Sequence, residues 1–141
     1  TIMHYFNQQQ FPDIPTISLC FESGQHNDPL SVNRAIAAIT NCMRSIGCVR
    51  QQDVAHRHNY MLQTYSQGLP AISHLLSKHS IHTGDGFVMH PGFTNFQKVK
   101  KGELLAHDNK GEIICPHVGL ILMPLYQKQG EDGFFLIQEG I

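Results

Sequence analysis

The first legible pattern in the chain is the run "TISLCF", residues 16 to 21. In an extended segment Ile17, Leu19 and Phe21 share one face, and Ser18 and Cys20 share the other. A strand that can be covered on both faces is expected inside a parallel sheet. The run stops at Glu22, and "ESGQHND" is polar with a glycine at Gly24. Asp28 is placed to be an N-cap, with Pro29 at the first helical position. Val32, Ile36, Ile39, Met43 and Ile46 then recur at spacings of four, three, four and three, which predicts one apolar helical stripe. Gly47 predicts its end. Residues 16 to 47 therefore predict strand, glycine loop and helix. Glu22 falls at the carboxyl end of the strand, where open α/β sheets hold their ligands.

Residues 51 to 79 are less regular. "HNYMLQTYSQGLPAISHLLSKH" predicts one or two short helices, broken by Gly68 and Pro70. From about residue 80 the apolar runs shorten and alternate with glycine and proline, which suits a compact all-β unit. "HDNKGE", residues 107 to 112, predicts a hairpin turn with Gly111 at positive φ. The two stretches "VKKGELLA" and "IICPHVGLIL" predict a small β-sandwich built from two similar hairpin halves. The fold class expected is α+β, in three parts. Residues 1 to 50 form the end of an α/β domain, 51 to 79 connect, and 80 to 141 form the sandwich.

Composition narrows the function. A hydrophobic share of 41% in 141 residues supports a packed core. A net charge of −1 gives no electrostatic footprint for nucleic acid. No apolar run approaches the roughly 20 residues of a membrane span, and no secretory signal pattern opens the chain. The four scattered cysteines form no C-x-x-C pair, so reduced thiols and a cytoplasmic location are expected. Thr1 opens the chain without an initiator methionine, and the first strand has no earlier partner. A fragment of a longer protein is therefore expected, open to self-association through the apolar side of its strand and helix.

Three stretches occur in order: "FESGQHNDP", a helix ending in "MRSIGCV", and "HPGFTNFQKVKKGELLAHDNKGEIICPHVGLILMPLYQKQGEDGFF". Together they resemble the C-terminal part of the succinylglutamate desuccinylase/aspartoacylase family. The resemblance implies a zinc-carboxypeptidase-like α/β domain followed by a barrel-sandwich-like β-domain. It implies a hydrolase that removes the acyl group from a small N-acyl amino acid. In that family a zinc ion, Zn2+, is held by an H-x-x-E pair and a later histidine, and a glutamate at a strand end takes a proton from the attacking water. Glu22 matches that glutamate, so the resemblance assigns it the catalytic role. No H-x-x-E occurs in these 141 residues, so the zinc ligands are expected upstream, and the fragment alone is expected to be inactive. The family's substrate arginines are expected upstream too, since the first arginine here is Arg34 in the helix. Near "EDGFF", Phe134 and Phe135 stand where aspartoacylases carry a substrate-touching tyrosine, which argues against N-acetylaspartate.

Plainer readings stand beside these. His26 decorates the Glu22 loop. His56 with His58, and His79 with His82, have pair spacing but no Cys, Asp or Glu at zinc-site spacing, so no metal is expected there. Lys100 and Lys101 fit a solvated rim. Lys110, in the predicted turn, supports a different class: a lipoyl- or biotinyl-like carrier domain presenting a modified lysine. Against it, the D-K-A and M-K-M motifs are absent, and the strand–helix segment has no place in a carrier.

Overall fold

The computed structural model describes residues 10–15, 17–25, 28–128 and 130–140. Among the described residues the chain is mixed α+β, with two α-helices and two antiparallel sheets. It divides into two compact units, residues 1–67 and 68–141.

The first unit is helical. Helix α1 spans Ser31–Ser45 and helix α2 spans Arg57–Ser66, with a 3₁₀ turn at Gln51–Asp53 between them. The expected start of α1 is displaced. The helix begins at Ser31 with Leu30 at the cap, and Pro29 lies in a turn before it. Asp28 still makes a cap-like bond, its Oδ1 accepting the Leu30 N–H at 2.9 Å. The end is as expected. Gly47 takes φ +77, and the Cys48 N–H reaches back to the Met43 carbonyl at 2.8 Å, closing the last turn.

One expectation for this unit fails. Residues 17–25 form no strand. Ile17 is 88% exposed, and Leu19 and Phe21 are exposed with it. A strand needs a neighbour for its N–H and C=O groups, and the described residues of this unit contain no other strand. The apolar stripe of the helix forms as expected, and it is uncovered. Val32, Ile36, Ile39, Met43 and Ile46 are all exposed. Helix α1 packs instead with the opposite face, on which Arg34, Ala37, Asn41 and Arg44 lie at spacings of three, four and three. Ala37 is fully buried there. The Asn41 Nδ2 reaches the His58 carbonyl at 3.4 Å, and Arg44 Nη2 donates to the Val54 carbonyl at 3.0 Å. The helix thus meets its neighbours through its polar side and presents its apolar side outward.

The second unit is all β. Strands β1 (Ser73–Ser80), β7 (Asp132–Glu139), β6 (Gly119–Leu122) and β3 (Gln97–Val99) form one sheet in the order β1-β7-β6-β3. Strands β2 (Val88–Met89), β4 (Leu104–Asp108) and β5 (Gly111–Ile114) form the other, in the order β2-β4-β5. Every pairing is antiparallel. One core joins the two sheets: Val99, Ile121, Phe134 and Leu136 come from the first, and Met89, Leu105 and Ala106 from the second. Leu105 and Ala106 are adjacent and both buried, because the β4–β5 register shifts between Leu104 and Ala106. The hairpin at 107–112 forms as expected, with Gly111 at φ +133. The Asp108 carboxylate fixes the turn by accepting the N–H groups of Lys110 at 2.7 Å and Gly111 at 3.1 Å.

The stretch expected to connect the two parts, 51–79, contains α2 and most of β1. "SHLLSKHS" is a strand because it pairs with β7 along its length, from Ser73 opposite Glu139 to Ser80 opposite Asp132. Pairing with a formed neighbour outweighs a weak local preference for helix. Gly119 marks the tightest approach in this sheet. A Cβ there would sit 2.6 Å from the Ile137 carbonyl oxygen, a backbone atom that cannot swing aside. Gly119→Ala is therefore expected to destabilise the β-unit by about 1–3 kcal/mol, read as a lower denaturant midpoint at unchanged slope.

Candidate functional site

Glu22 lies in the irregular segment before α1, and its side chain is exposed. The Cys20 thiol lies 3.5 Å from Glu22 Oε1. The hydrogen bond to that carboxylate, and then its charge, push the Cys20 thiol above its usual range.

The segment around Glu22 is organised by Arg34, one turn into α1. Arg34 is 3% exposed, the one buried polar or charged residue among the described residues. Its Nε donates to the Ser23 carbonyl at 2.7 Å. Its Nη2 pairs with the Asp28 carboxylate. Its guanidinium lies over the Tyr65 ring of α2, 4.4 Å from the centroid. The backbone N–H of Leu30, and then the Arg34 guanidinium, hold the Asp28 carboxyl below its ordinary range, so it stays ionised at neutral pH. Gly24 takes φ +122 where the chain passes this cluster. His26 lies outside the described residues.

The histidines of the two pairs have different surroundings. The His79 ring stacks between Phe87 and Phe134, with centroids 5.4 and 5.2 Å away. The His82 backbone N–H is bound by Asp85. His56 precedes the first turn of α2 and His58 lies within it. Among the described residues no group of three or more His, Cys, Asp or Glu could hold a metal ion. All four cysteines are free thiols, and Cys115 is buried in the β core. Phe134 is buried in that core, whereas Phe135 is half-buried. No helix among the described residues is long and apolar enough to cross a membrane.

The second unit has its own concave feature. A cleft of about 540 Å³ opens between the segment around residues 81–89 and the segment around 125–131, with Phe87, Met89 and Leu125 in its wall. Lys110 stands at the β4–β5 turn, its side chain 80% exposed, 3.9 Å from Asp85. No family model matches the chain, and neither a curated protein nor a solved structure matches it.

Asp28 ahead of the helix was legible in the sequence; Glu22 was singled out there too, but it lies in an irregular segment and not at a strand end. Arg34, which ties the Ser23 carbonyl to the Asp28 carboxylate, was not legible. The one available signal was an arginine one turn after an Asp-Pro helix start, with a glycine between that Asp and the glutamate.

Proposed function

We propose that this chain is the C-terminal portion of a zinc-dependent amidohydrolase of the succinylglutamate desuccinylase/aspartoacylase type. It would remove the acyl group from a small N-acyl amino acid. The observation that carries the reading is the outward-facing stripe of α1: Val32, Ile36, Ile39, Met43 and Ile46 are exposed together. A helix of an α/β domain turns such a stripe toward its sheet. The exposed Ile17, Leu19 and Phe21 fit the same account, as a strand without its neighbours. On this reading residues 1–50 complete a zinc-carboxypeptidase-like domain, and the two-sheet unit is its barrel-sandwich-like appendage.

Glu22 is the proposed general base, taking the proton of the attacking water and passing it to the leaving amine. Its exposure on an anchored segment supports that role. The family's zinc ligands begin with an H-x-x-E pair, which these 141 residues lack, so the ligands are assigned to the part of the protein outside this chain. Metal analysis of the full-length protein containing this chain is expected to find one zinc per polypeptide. A zinc-free full-length protein, purified with zinc present, would overturn the reading.

The same stripe gives a result for the chain alone. Leaving several large apolar side chains in water forgoes roughly 1.5–3 kcal/mol each relative to burial. The 141-residue chain is therefore expected to self-associate through α1. Light scattering should show oligomers for wild type and monomers for Ile36→Glu/Ile39→Glu. A monomeric wild type at high concentration contradicts this.

A carrier domain is the second reading, and the exposure of Lys110 at a hairpin tip favours it. Intact mass decides between the two, since lipoylation or biotinylation adds a fixed increment to one lysine.

A further inference from the structure

Arg34 is buried in a unit whose large apolar side chains are mostly exposed. A guanidinium out of water must be matched by hydrogen bonds and an opposite charge. Arg34 obtains them from the Glu22 segment itself. The Ser23 carbonyl, which accepts from Nε, belongs to the residue directly after Glu22, and Asp28 closes the other end of the segment. Gly24 lies between these anchors. A Cβ on Gly24 would sit 2.5 Å from Arg34 Nη2 and 3.3 Å from the Asp28 Oδ2. The Tyr65 ring backs the guanidinium from α2, so two helices fix the clamp.

We infer that Arg34 is a positioning residue for Glu22, setting the backbone at Ser23 through the Ser23 carbonyl and the Asp28 pair, with Gly24 required for the close approach. The inference rests on the reading of Glu22 as the general base. The fork of the guanidinium matters, because Nε and Nη2 serve two partners at once. An ammonium at this place keeps the charge toward Asp28 but loses the planar fork. A misplacement of about 1 Å at a reacting group can cost about 10²-fold in rate.

The test uses Arg34→Met and Arg34→Lys, with Gly24→Ala as a variant that keeps the arginine and displaces the loop from the other side. Backbone ¹⁵N order parameters at residues 21–25 are measured in the 141-residue chain. Turnover, KM and zinc content are measured in the full-length protein on N-acyl amino acids. Arg34→Met and Gly24→Ala are expected to lower the order parameters from about 0.85 toward 0.6. Both should lower kcat about 10²-fold with KM and zinc content unchanged, and Arg34→Lys should recover part of the loss. Unchanged order parameters would overturn the clamp. Lowered order parameters with normal kcat would show a structural role alone and overturn the positioning role. In both cases an active wild type leaves the hydrolase reading standing, whereas an inactive wild type removes that reading and this inference with it.

Discussion

Glu22→Gln in the full-length protein is expected to lower kcat on an N-acyl amino acid by about 10²- to 10⁴-fold while zinc content stays unchanged. The substitution keeps the size of the side chain and its capacity to accept a hydrogen bond, and it removes the proton acceptor. Glu22→Asp should fall between wild type and Gln. The carboxylate survives there but is drawn back by one methylene from the water it must reach. Neither change should disturb folding, because the Glu22 side chain is exposed and contributes nothing to either core. The same substitution should lower the Cys20 thiol pKa, because the Glu22 carboxylate is what raises it. That shift can be read by thiol titration in the 141-residue chain, independently of turnover. Near-normal turnover in Glu22→Gln would make Glu22 an ordinary solvated loop residue.

Leu136→Ala is expected to cost the β-unit about 2–5 kcal/mol. Leu136 is fully buried on β7, a strand paired on both sides, opposite Ser77 of β1 and Ile121 of β6. Truncation there removes apolar contact and leaves a cavity between the two sheets. Domains of this size are stable by about 5–15 kcal/mol, so the loss is a large share of the total. Leu75→Ala supplies the contrast. Leu75 is 61% exposed on β1, at the edge of the same sheet, and its truncation should change stability by no more than about 0.5 kcal/mol. Urea unfolding of the two variants checks both figures. Equal losses would mean that the core is not centred where β6 and β7 meet.

The features legible in the sequence are those set by short-range chemistry. The hairpin at 107–112 follows from Asp108 and Gly111 acting within one turn. Gly47 ends α1 for a reason as local. The stripe of α1 was readable as a stripe, and so was its exposure in a fragment; which neighbours hold the helix in that direction was not. That direction is set by α2 and the 54–55 backbone, which engage Asn41 and Arg44 on the other side. Strand β1 was hidden because "SHLLSKHS" has neither strict alternation nor β-branched residues, and its partner β7 begins more than 50 positions after it. Arg34 was hidden for a similar reason. Its burial depends on Tyr65, 31 positions later, and an arginine near a helix start reads as solvated until that ring is in place.

The measurement closest to the central claim is amine release from a panel of N-acyl amino acids by the full-length protein, before and after removal of metal. N-succinyl and N-acetyl derivatives of acidic amino acids form the panel. The account predicts release of the free amino acid from at least one of them, loss of that activity on chelation, and its return with one equivalent of zinc. Turnover unaffected by chelation, or a zinc-loaded protein that hydrolyses none of the panel, would contradict it.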